Sequence, residues 1–331
     1  MPTWPFLRVR PGLRGEERSL ITVLAGGVGA ARLLSGLVQV VPPTEVTAVV
    51  NTGDDVVMHG LHISPDLDTV TYTLAGADNP ETGWGLAGET WQAMGSLGRY
   101  GGDTWFNLGD LDLGTHLYRT GNLASGVGLA EITASITTGW GLEPMLLPMT
   151  EDRVATMMTL ADSDGSGYEV GFQEYFVRLR HDVPVSSVRF DGAEASGPGP
   201  GVLEAIAGAD VVVVAPSNPI VSIGPLLAVP GIADAVRARR DHTVAVSPII
   251  AGAALKGPAD RLMRELGHEA SVVGVARIYR DIASCLVIDS VDADLAGAVE
   301  TEGMACVVTD TVMSSPDVTA NLAKVVLGAA S

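Results

Sequence analysis

Four aspartates, Asp54, Asp55, Asp66 and Asp68, fall within a stretch of fifteen residues. Carboxylate oxygens are ligands that Mg²⁺ takes from proteins, usually one or two of them, with phosphate and water completing its coordination. A single aspartate at the start of a helix, such as Asp66 or Asp68, is more simply an N-cap. The whole set, close in sequence to a glycine turn, favours metal binding beside a phosphate.

The glycine turn follows a short apolar run, 21–24, and contains Gly26, Gly27 and Gly29 ahead of a helix-like segment. A strand that leads through glycines into a helix exposes backbone N–H groups and the positive end of the helix dipole, which both attract phosphate. The G-G-x-G-A spacing is neither the dinucleotide fingerprint nor a Walker A loop, which needs a Lys-Ser/Thr pair. A tight strand-to-helix turn without a ligand is the alternative.

Two further predicted strands, 45–51 and 210–215, also lead into polar loops. Because ligands of open α/β sheets bind beyond the carboxyl ends of the strands, we expect these loops to lie near the glycine turn. The second loop offers Ser217, Asn218 and Ser222, whose neutral hydrogen bonds suit a base edge or a phosphate. A structural turn fixed by the two neighbouring prolines is the alternative.

The segment from 71 to about 141 differs in composition, with tryptophans at positions 84, 91, 105 and 140. Flat rings in a mostly aliphatic protein could form a stacking wall for a ring-shaped substrate, although such residues more often pack a small subdomain. The same segment holds Asp110, Asp112, His116 and Arg119, which could place an acid, a base and a cation on neighbouring turns. A lone histidine at such a spacing is more often structural.

The order of elements predicts an α/β fold: a Rossmann-like, doubly wound, mainly parallel sheet with an inserted, partly helical subdomain and a β-hairpin. Residues 1–20 are interpreted as a flexible extension, 21–331 as a single domain and 71–200 as the approximate insertion. The hairpin is expected over 154–180, around a polar DSDGSG turn. Further strands are expected at 187–191, 244–248, 271–276, 285–289 and 305–309, and helices at 89–97, 114–119, 201–208 and from Pro316 onward.

Charge and cysteine content exclude several classes of protein. The net charge of −19 argues against a nucleic-acid groove or an anionic membrane surface as partner, yet a phosphorylated small molecule can still be bound by local features. Cys285 and Cys306 lie far apart in apolar runs, which favours buried, reduced thiols in a cytoplasmic protein over a disulfide framework. No uninterrupted apolar run reaches the length of a transmembrane helix.

Nearly the whole chain from Ile21 onward resembles the 2-phospho-L-lactate transferase family, the enzymes of coenzyme F420 biosynthesis called CofD in archaea and FbiA in actinobacteria. The matching stretches, in one order, are LAGGVGAARLL, VVNTGDD, HISPDLDTV, LGD-D--TH--R, FQEYFVR, GVLEAI, PSNPIVSIGPLL and VSPIIAG-ALKGPA. The joint occurrence of PDLDTV and PSNP--SIGP is far more specific than the glycine turn alone.

This resemblance implies a Mg²⁺-dependent transferase. The terminal ribityl hydroxyl of Fo, a riboflavin-like deazaflavin, would attack the phosphorus next to the small acid of lactyl- or enolpyruvyl-diphospho-5'-guanosine and release GMP. A phospholactyl or phosphoenolpyruvyl group would thereby be installed on Fo. The Ala/Gly/Val-rich, lysine-poor composition is typical of an actinobacterial source and favours the enolpyruvyl donor by analogy. The resemblance also implies a homodimer.

The resemblance assigns roles at the matching positions. Asp54 and Asp68 are the implied metal ligands and catalytic residues, with Asp55 and Asp66 nearby, and Asp68 is also the candidate base for the attacking hydroxyl. Sequence alone does not separate the two roles of Asp68. The implied nucleotide side comprises Gly26, Gly27, Gly29, Asn51, Ser217, Asn218 and Ser222. The implied deazaflavin side comprises Trp84, Thr90, Trp91 and Asp68.

One position departs from the family pattern, because Leu111 stands where the family often has arginine. If that arginine contacts donor phosphate, this chain must replace it, with Arg119 or Arg32 as candidates, or prefer another donor.

The competing interpretation is a regulator of the YvcK type, which binds nucleotide-sugars and shares the glycine turn and the general fold. The paired aspartates and the tryptophan-rich segment favour the enzyme. A dinucleotide-dependent oxidoreductase is weaker, because TGDD replaces the acidic ribose-binding residue expected about twenty residues after the glycine turn.

Overall fold

The computed structural model describes residues 19–81, 83–161 and 167–330. The predicted extension 1–20 therefore lies almost wholly outside the described residues, as does most of the DSDGSG turn of the predicted hairpin. In chain order the strands are β1 Ile21–Ala25, β2 Val46–Val50, β3 Val56–Met58, β4 Leu61–Ile63, β5 Met145–Pro148, β6 Ala155–Leu160, β7 Tyr168–Gly171, β8 Val185–Asp191, β9 Val211–Val214, β10 Thr243–Val246, β11 Ile249–Ile250, β12 Ala253–Ala254, β13 Cys285–Asp289 and β14 Ala305–Thr309.

The central sheet has the strand order β14-β13-β10-β9-β1-β2-β5, and every neighbouring pair is parallel. Its inner strands are nearly continuous runs of apolar residues, as expected for a sheet that is covered on both faces. All five residues of β1 are buried. The chain runs from β1 to β2 on one side and later adds β9 on the other side of β1. The switch point, where open α/β sheets bind ligands, therefore lies between β1 and β9.

Helices cover both faces of this sheet. The first helix packs against the last helix and against the second on one face, whereas the helices between β8 and β14 bury their apolar residues on the other. The helices are α1 Gly27–Val40, α2 Pro65–Leu74, α3 Gln92–Arg99, α4 Asp112–Ala124, α5 Leu129–Gly139, α6 Val202–Gly208, α7 Gly224–Ala228, α8 Ile232–Ala238, α9 Ala259–Glu265, α10 Val272–Tyr279, α11 Ala296–Thr301 and α12 Pro316–Gly328.

The predicted α/β, doubly wound class is confirmed, but one predicted strand is wrong. Residues 271–276 begin α10, whose N-cap Ser271 accepts a hydrogen bond from the Gly274 N–H at 3.1 Å. Nearly all of α10 is buried, so the run lacks the polar face that distinguishes an amphipathic helix from a buried strand.

The predicted hairpin over 154–180 is confirmed only in part. β6 pairs with β7 and with β8 in an antiparallel three-stranded sheet, but β7 ends at Gly171. Residues Glu174–Arg178 form a π-helical turn instead of continuing the strand. The expected insertion 71–200 contains this small sheet and also β5 at the edge of the central sheet, and its boundaries stay a prediction.

The predictions on the cysteines and on membrane-spanning helices have counterparts in the structure. Cys285 and Cys306 are free and lie on the neighbouring strands β13 and β14; Cys285 is buried, as predicted, whereas Cys306 is only half-buried. Among the described residues, no single helix is long and apolar enough to cross a membrane, although the pair Pro219–Ala228 and Ile232–Ala238, bent by 96°, meets the length and composition test.

Helices α3 and α4 are joined by reciprocal caps. The Glu89 carboxylate, ahead of α3, accepts the backbone N–H groups of Leu111 and Asp112 at the start of α4, both at 2.8 Å. In return the Asp110 carboxylate accepts the N–H groups of Gln92 and Ala93 in α3, both at 3.0 Å. Carboxylates near helix N-termini also interact favourably with the helix dipole. These caps fix the start of α4, which carries Asp112, His116 and Arg119 toward the site.

We expect Glu89→Ala to lower the free energy of unfolding by about 1 kcal/mol, because two N–H groups at the start of α4 lose their acceptor. Gly109→Ala should produce the same defect, since a Cβ there would lie 2.0 Å from the Glu89 carboxyl carbon. Urea unfolding measures both changes, with Glu143→Ala in the loop after α5 as the control. Wild-type midpoints for both variants would contradict this role of Glu89.

Candidate active site

The glycine turn and the loop after β9 meet at the switch point of the sheet. The Ser217 hydroxyl donates a hydrogen bond to the Gly26 carbonyl at 2.8 Å and joins the two loops. Gly27 begins α1 with a φ of +71°, and a Cβ on Gly29 would lie 2.2 Å from the Pro216 carbonyl oxygen. Glycine satisfies both conditions without strain. The glycine spacing is therefore set partly by packing against the second loop.

Asn51, just after β2, holds two buried carboxylates. Its amide nitrogen donates to Asp54 at 3.1 Å and to Asp66 at 3.0 Å, while its amide oxygen accepts the Gly53 N–H at 2.8 Å. Burial, followed by repulsion from Asp66, raises the pKa of Asp54 well above its usual range. Burial also raises the pKa of Asp66, to about 6. The pair therefore resists carrying two negative charges unless a cation is nearby.

Asp55 extends this group of carboxylates. One of its oxygens accepts a hydrogen bond from the Ser64 hydroxyl at 2.6 Å, and burial raises the pKa of its carboxyl well above the usual range. The Oδ1 atoms of Asp54 and Asp55 are buried and make no well-formed hydrogen bond among the described residues, although the nearby Thr156 hydroxyl lowers the pKa of Asp54. Such unpartnered oxygens are the atoms that a bound cation would satisfy.

Asp68, on the first turn of α2, is paired with a buried arginine. Both guanidinium NH groups of Arg119 donate to the two oxygens of Asp68, the one from Nη1 at 3.1 Å. Arg119 is only 1% exposed, and its Nη1 also lies 3.4 Å from the His62 carbonyl oxygen. Burial raises the pKa of Asp68, although the charge of Arg119 opposes that rise. The ion pair holds Asp68 in one orientation.

Two further residues of α4, His116 and Asp112, extend the network of polar contacts around Asp68. His116 Nδ1 lies 3.7 Å from Asp68, and its Nε2 lies 3.2 Å from Asp112. Asp112 also accepts a hydrogen bond from the Tyr72 hydroxyl at 2.6 Å. Burial raises the pKa of Asp112, but its contacts with His116 and Tyr72 outweigh burial and lower it overall.

Asp68, Asp112 and His116 also form a candidate cation site, because each offers a ligand atom and these atoms lie within 4.8 Å of one another. Asp54, which the resemblance pairs with Asp68 as a metal ligand, is not part of that cluster. The two groups of carboxylates therefore stand in different surroundings. The group at Asn51 has unpartnered oxygens, whereas Asp68 and Asp112 already have cationic or hydrogen-bonding neighbours.

A cavity of about 510 Å³ brings most of the sequence-predicted residues together. It lies at the switch point and is open to both polar loops and to the carboxylates. The predicted residues that line it are Gly26, Gly27, Gly29, Asp54, Asp66, Asp68, Trp84, Ser217, Asn218 and Ser222.

Three predicted residues lie outside this lining. Asn51 is fully buried behind Asp54 and Asp66. The Thr90 hydroxyl hydrogen-bonds to Asp110, and Trp91 precedes α3 with 42% of its surface exposed. Thr90 and Trp91 thus lie where α3 and α4 are linked by their caps. Their contact with a ligand stays a prediction.

The structure adds lining residues that were not assigned to the site from the sequence. The FQEYFVR stretch contributes Phe172, Gln173 and Phe176, with the two phenylalanine rings stacked at 5.5 Å and 13°. The Gln173 amide donates to the Asp54 backbone carbonyl at 3.2 Å. Lys256 also lines the cavity. The FQEYFVR motif was visible in the sequence, but because it was interpreted as part of a strand, the side chains that face the cavity could not be identified.

Leu111 itself does not reach the cavity. Its side chain is 57% exposed and lies outside the lining, as does Arg119. Arg32 does line the cavity. Of the two candidates to replace a family arginine, Arg119 is therefore committed to Asp68, and Arg32 is placed to meet a ligand.

The chain is similar to known transferases over nearly its whole length. The protein family described as 2-phospho-L-lactate transferase CofD matches residues 21–326. A phosphoenolpyruvate transferase of Kitasatospora aureofaciens is 44% identical over 313 residues, which cover 94% of this chain and 97% of that protein. A phosphoenolpyruvate transferase of Mycobacterium avium is 42% identical over 329 residues, covering 91% of this chain and 96% of that protein.

A solved structure supports the fold independently. The crystal structure of a UPF0052 family member from Bacillus halodurans superposes with a TM-score of 0.59 and covers 95% of this chain and 100% of that chain. The two sequences are 18% identical, so this likeness concerns the fold alone.

We expect Arg119→Met to lower the free energy of unfolding by about 3–5 kcal/mol, because it leaves the buried Asp68 carboxylate without its partner. Arg119→Met combined with Asp68→Asn should lose much less, because both charges are then absent. Urea unfolding of the two single variants and the double variant measures this coupling. Arg178→Met, which breaks an exposed pair with Glu174, is the control and should cost under about 1 kcal/mol. Additive losses at Arg119 and Asp68 would show that the pair is not coupled.

Proposed function

This chain belongs to the family of the 2-phospho-L-lactate transferase CofD, and we propose that it transfers a phosphoenolpyruvyl or 2-phospholactyl group to the terminal ribityl hydroxyl of Fo. The donor in this proposal is enolpyruvyl- or lactyl-diphospho-5'-guanosine, and GMP is the leaving group. The phosphoenolpyruvate transferases that are 44% identical to this chain favour the enolpyruvyl donor.

One observation carries the proposal: the glycine turn, the second polar loop and the carboxylates Asp54, Asp66 and Asp68 line a single cavity of about 510 Å³. Sites for small molecules usually enclose about 300–1,000 Å³. A diphosphate needs backbone N–H groups and a cation, and a hydroxyl nucleophile needs a base. The cavity offers candidates for each of these within reach of one ligand.

In the proposed reaction a bond forms between the ribityl oxygen and the phosphorus next to the small acid. The bond from that phosphorus to the oxygen that bridges it to GMP breaks, and this oxygen leaves with GMP. The hydroxyl proton passes to Asp68, whose carboxylate keeps lone pairs beyond the two that the Arg119 guanidinium occupies. Arg119 orients the two Asp68 oxygens during this step.

The remaining contacts follow from position in the cavity. Backbone N–H groups at the start of the fourteen-residue helix α1 would bind the diphosphate. The residues proposed for the guanosine side are Ser217, Asn218 and Ser222, while Asn51 is buried and would act on the nucleotide only by holding Asp54 and Asp66. The residues proposed for the deazaflavin side are Trp84, Thr90 and Trp91. Of the three residues proposed for the deazaflavin side, Trp84 lines the cavity. A ligand would have to extend beyond the cavity toward α3 to meet Thr90 and Trp91.

Mg²⁺ would be held by Asp54 and Asp68, with Asp55 and Asp66 nearby. The residues fit such an ion because the Oδ1 atoms of Asp54 and Asp55 are buried and make no well-formed hydrogen bond among the described residues. Arg119 occupies both oxygens of Asp68, but each carboxylate oxygen keeps a second lone pair that can bind a cation. Bound Mg²⁺ supplies stabilisation of the negative charge on the reacting phosphate.

The nucleotide-sugar-binding regulator is not favoured as an alternative, since the relatives at 42–44% identity are named as transferases. The homodimer and the cytoplasmic location stay predictions.

We expect Asp54→Asn to lower the rate of transfer from enolpyruvyl-diphospho-5'-guanosine to Fo by about 100-fold or more at fixed Mg²⁺, because charge stabilisation by the metal contributes several kcal/mol. Fo binding, followed by its fluorescence, should be unchanged. Asp103→Asn, which alters an exposed aspartate, is the control. Wild-type turnover in Asp54→Asn would remove Asp54 from the metal site, and failure of the wild-type protein to bind Fo would overturn the proposed function.

A further inference from the structure

Lysine is rare in this chain, and one lysine lies at the cavity. Eighteen of the twenty basic residues are arginines, and the two lysines are Lys256 and Lys324. Lys324 is exposed on α12, whereas Lys256 follows β12 and lines the cavity. A lysine ammonium is a compact charge on a flexible stem and commonly binds phosphates and carboxylates.

Lys256 and Arg32 approach the same point of the cavity wall. A Cβ placed on Gly83 would lie 2.9 Å from the Lys256 ammonium nitrogen and 3.9 Å from an Arg32 guanidinium nitrogen. Both side chains line the cavity, and Trp84 lies beside them. Three segments distant in the sequence, α1, the loop at Gly83 and the loop after β12, therefore bring two cations together.

The position of this basic pair along α1 suggests which part of a ligand it meets. Val28 and Arg32 are four residues apart and share one face of α1, and a Val28 methyl carbon also lies 3.4 Å from the Gly83 Cβ position. Arg32 lies five residues beyond Gly27, about 7.5 Å along the helix axis. A ligand whose diphosphate binds at the glycine turn can thus present its next anionic group to the basic pair.

The charges in the cavity also indicate that the diphosphate and the next anionic group of the ligand bind at different places. The carboxylates Asp54, Asp66 and Asp68 lie in the loop after β2 and on the first turn of α2, where an anion is attracted only if a cation is bound with it. Arg32 and Lys256 carry permanent positive charge and need no metal to attract an anion. An anionic group without a metal of its own is therefore best matched by this pair.

We propose that Lys256 and Arg32 bind the carboxylate of the small acid in the group that is transferred, and so distinguish an acid-bearing donor from a plain nucleoside diphosphate. This inference rests on the proposed function. It adds a residue pair that recognises the acid separately from the diphosphate and from the deazaflavin ring.

The test compares two fluorescent ligands that differ only by the transferred group: Fo and its phospholactyl derivative. Titrations use the full chain carrying Lys256→Met, Arg32→Met or Lys256→Arg, with Lys324→Met as the matched control. We expect Lys256→Met and Arg32→Met to weaken binding of the derivative by about 10- to 100-fold, the effect of one charge-assisted hydrogen bond. Fo and GDP affinities should be unchanged, and Lys256→Arg should retain most of the affinity for the derivative.

The other outcomes have distinct meanings. An equal loss of GDP affinity would assign the pair to the diphosphate and overturn the inference, as would an equal loss of Fo affinity or no loss for the derivative. Lys256 is exposed in a loop, so its replacement is not expected to disturb folding. A wild-type protein that binds neither Fo nor the derivative would instead contradict the proposed function itself.

Discussion

Four aspartates, Asp54, Asp55, Asp66 and Asp68, have buried carboxyl groups within one small region, and the rest of the site is arranged to tolerate their charge. Burial raises the pKa of each carboxyl, because removing a carboxylate from water disfavours its charged form. Three kinds of compensation are present: the Asn51 amide, the Ser64 hydroxyl and the buried guanidinium of Arg119. The Oδ1 atoms of Asp54 and Asp55 make no hydrogen bond among the described residues, and they are where the proposed cation would bind.

The fold delivers these partners from distant parts of the sequence. The switch point between β1 and β9 brings the glycine turn against the second polar loop. The reciprocal caps of α3 and α4 set the start of the helix that carries Arg119 and His116. Replacing the buried ion pair of Asp68 by an unpaired charge would be costly, so the position of α4 and the chemistry of α2 are coupled. The residues that stabilise this region are therefore the same ones to which the proposed reaction assigns roles.

Much of this arrangement could be predicted from sequence because it rests on local patterns. The apolar run 21–24 and its glycines predicted β1 and the turn into α1, and the resemblance placed Asp54 and Asp68 in the site. The partners of Asp68 could not be found in this way, because Arg119 lies 51 residues away and nothing local links the two. The run 271–276 misled because its apolar residues are buried in the helix, and the exposed Arg277 lies just beyond the run. Phe172 and Phe176 were missed because the strand ends at Gly171 and a π-helical turn follows, so the alternation of a strand does not apply to them.

The central claim is that the buried carboxylates form a cation site, and thermal unfolding with Mn²⁺ as the probe tests it most directly. Burial raises the pKa of Asp66 from 3.8 to about 6, so the folded protein holds this proton more tightly than the unfolded chain does. Metal-free stability should therefore fall as the pH rises through about 6, and protons should compete with the cation below it. We predict that a fixed excess of Mn²⁺ over protein raises the Tm at pH 8 and raises it much less at pH 5. A stabilisation of about 2.7 kcal/mol would correspond to a Mn²⁺ concentration of a hundred times the Kd. Equal shifts of the Tm at the two pH values, or none at pH 8, would contradict the account.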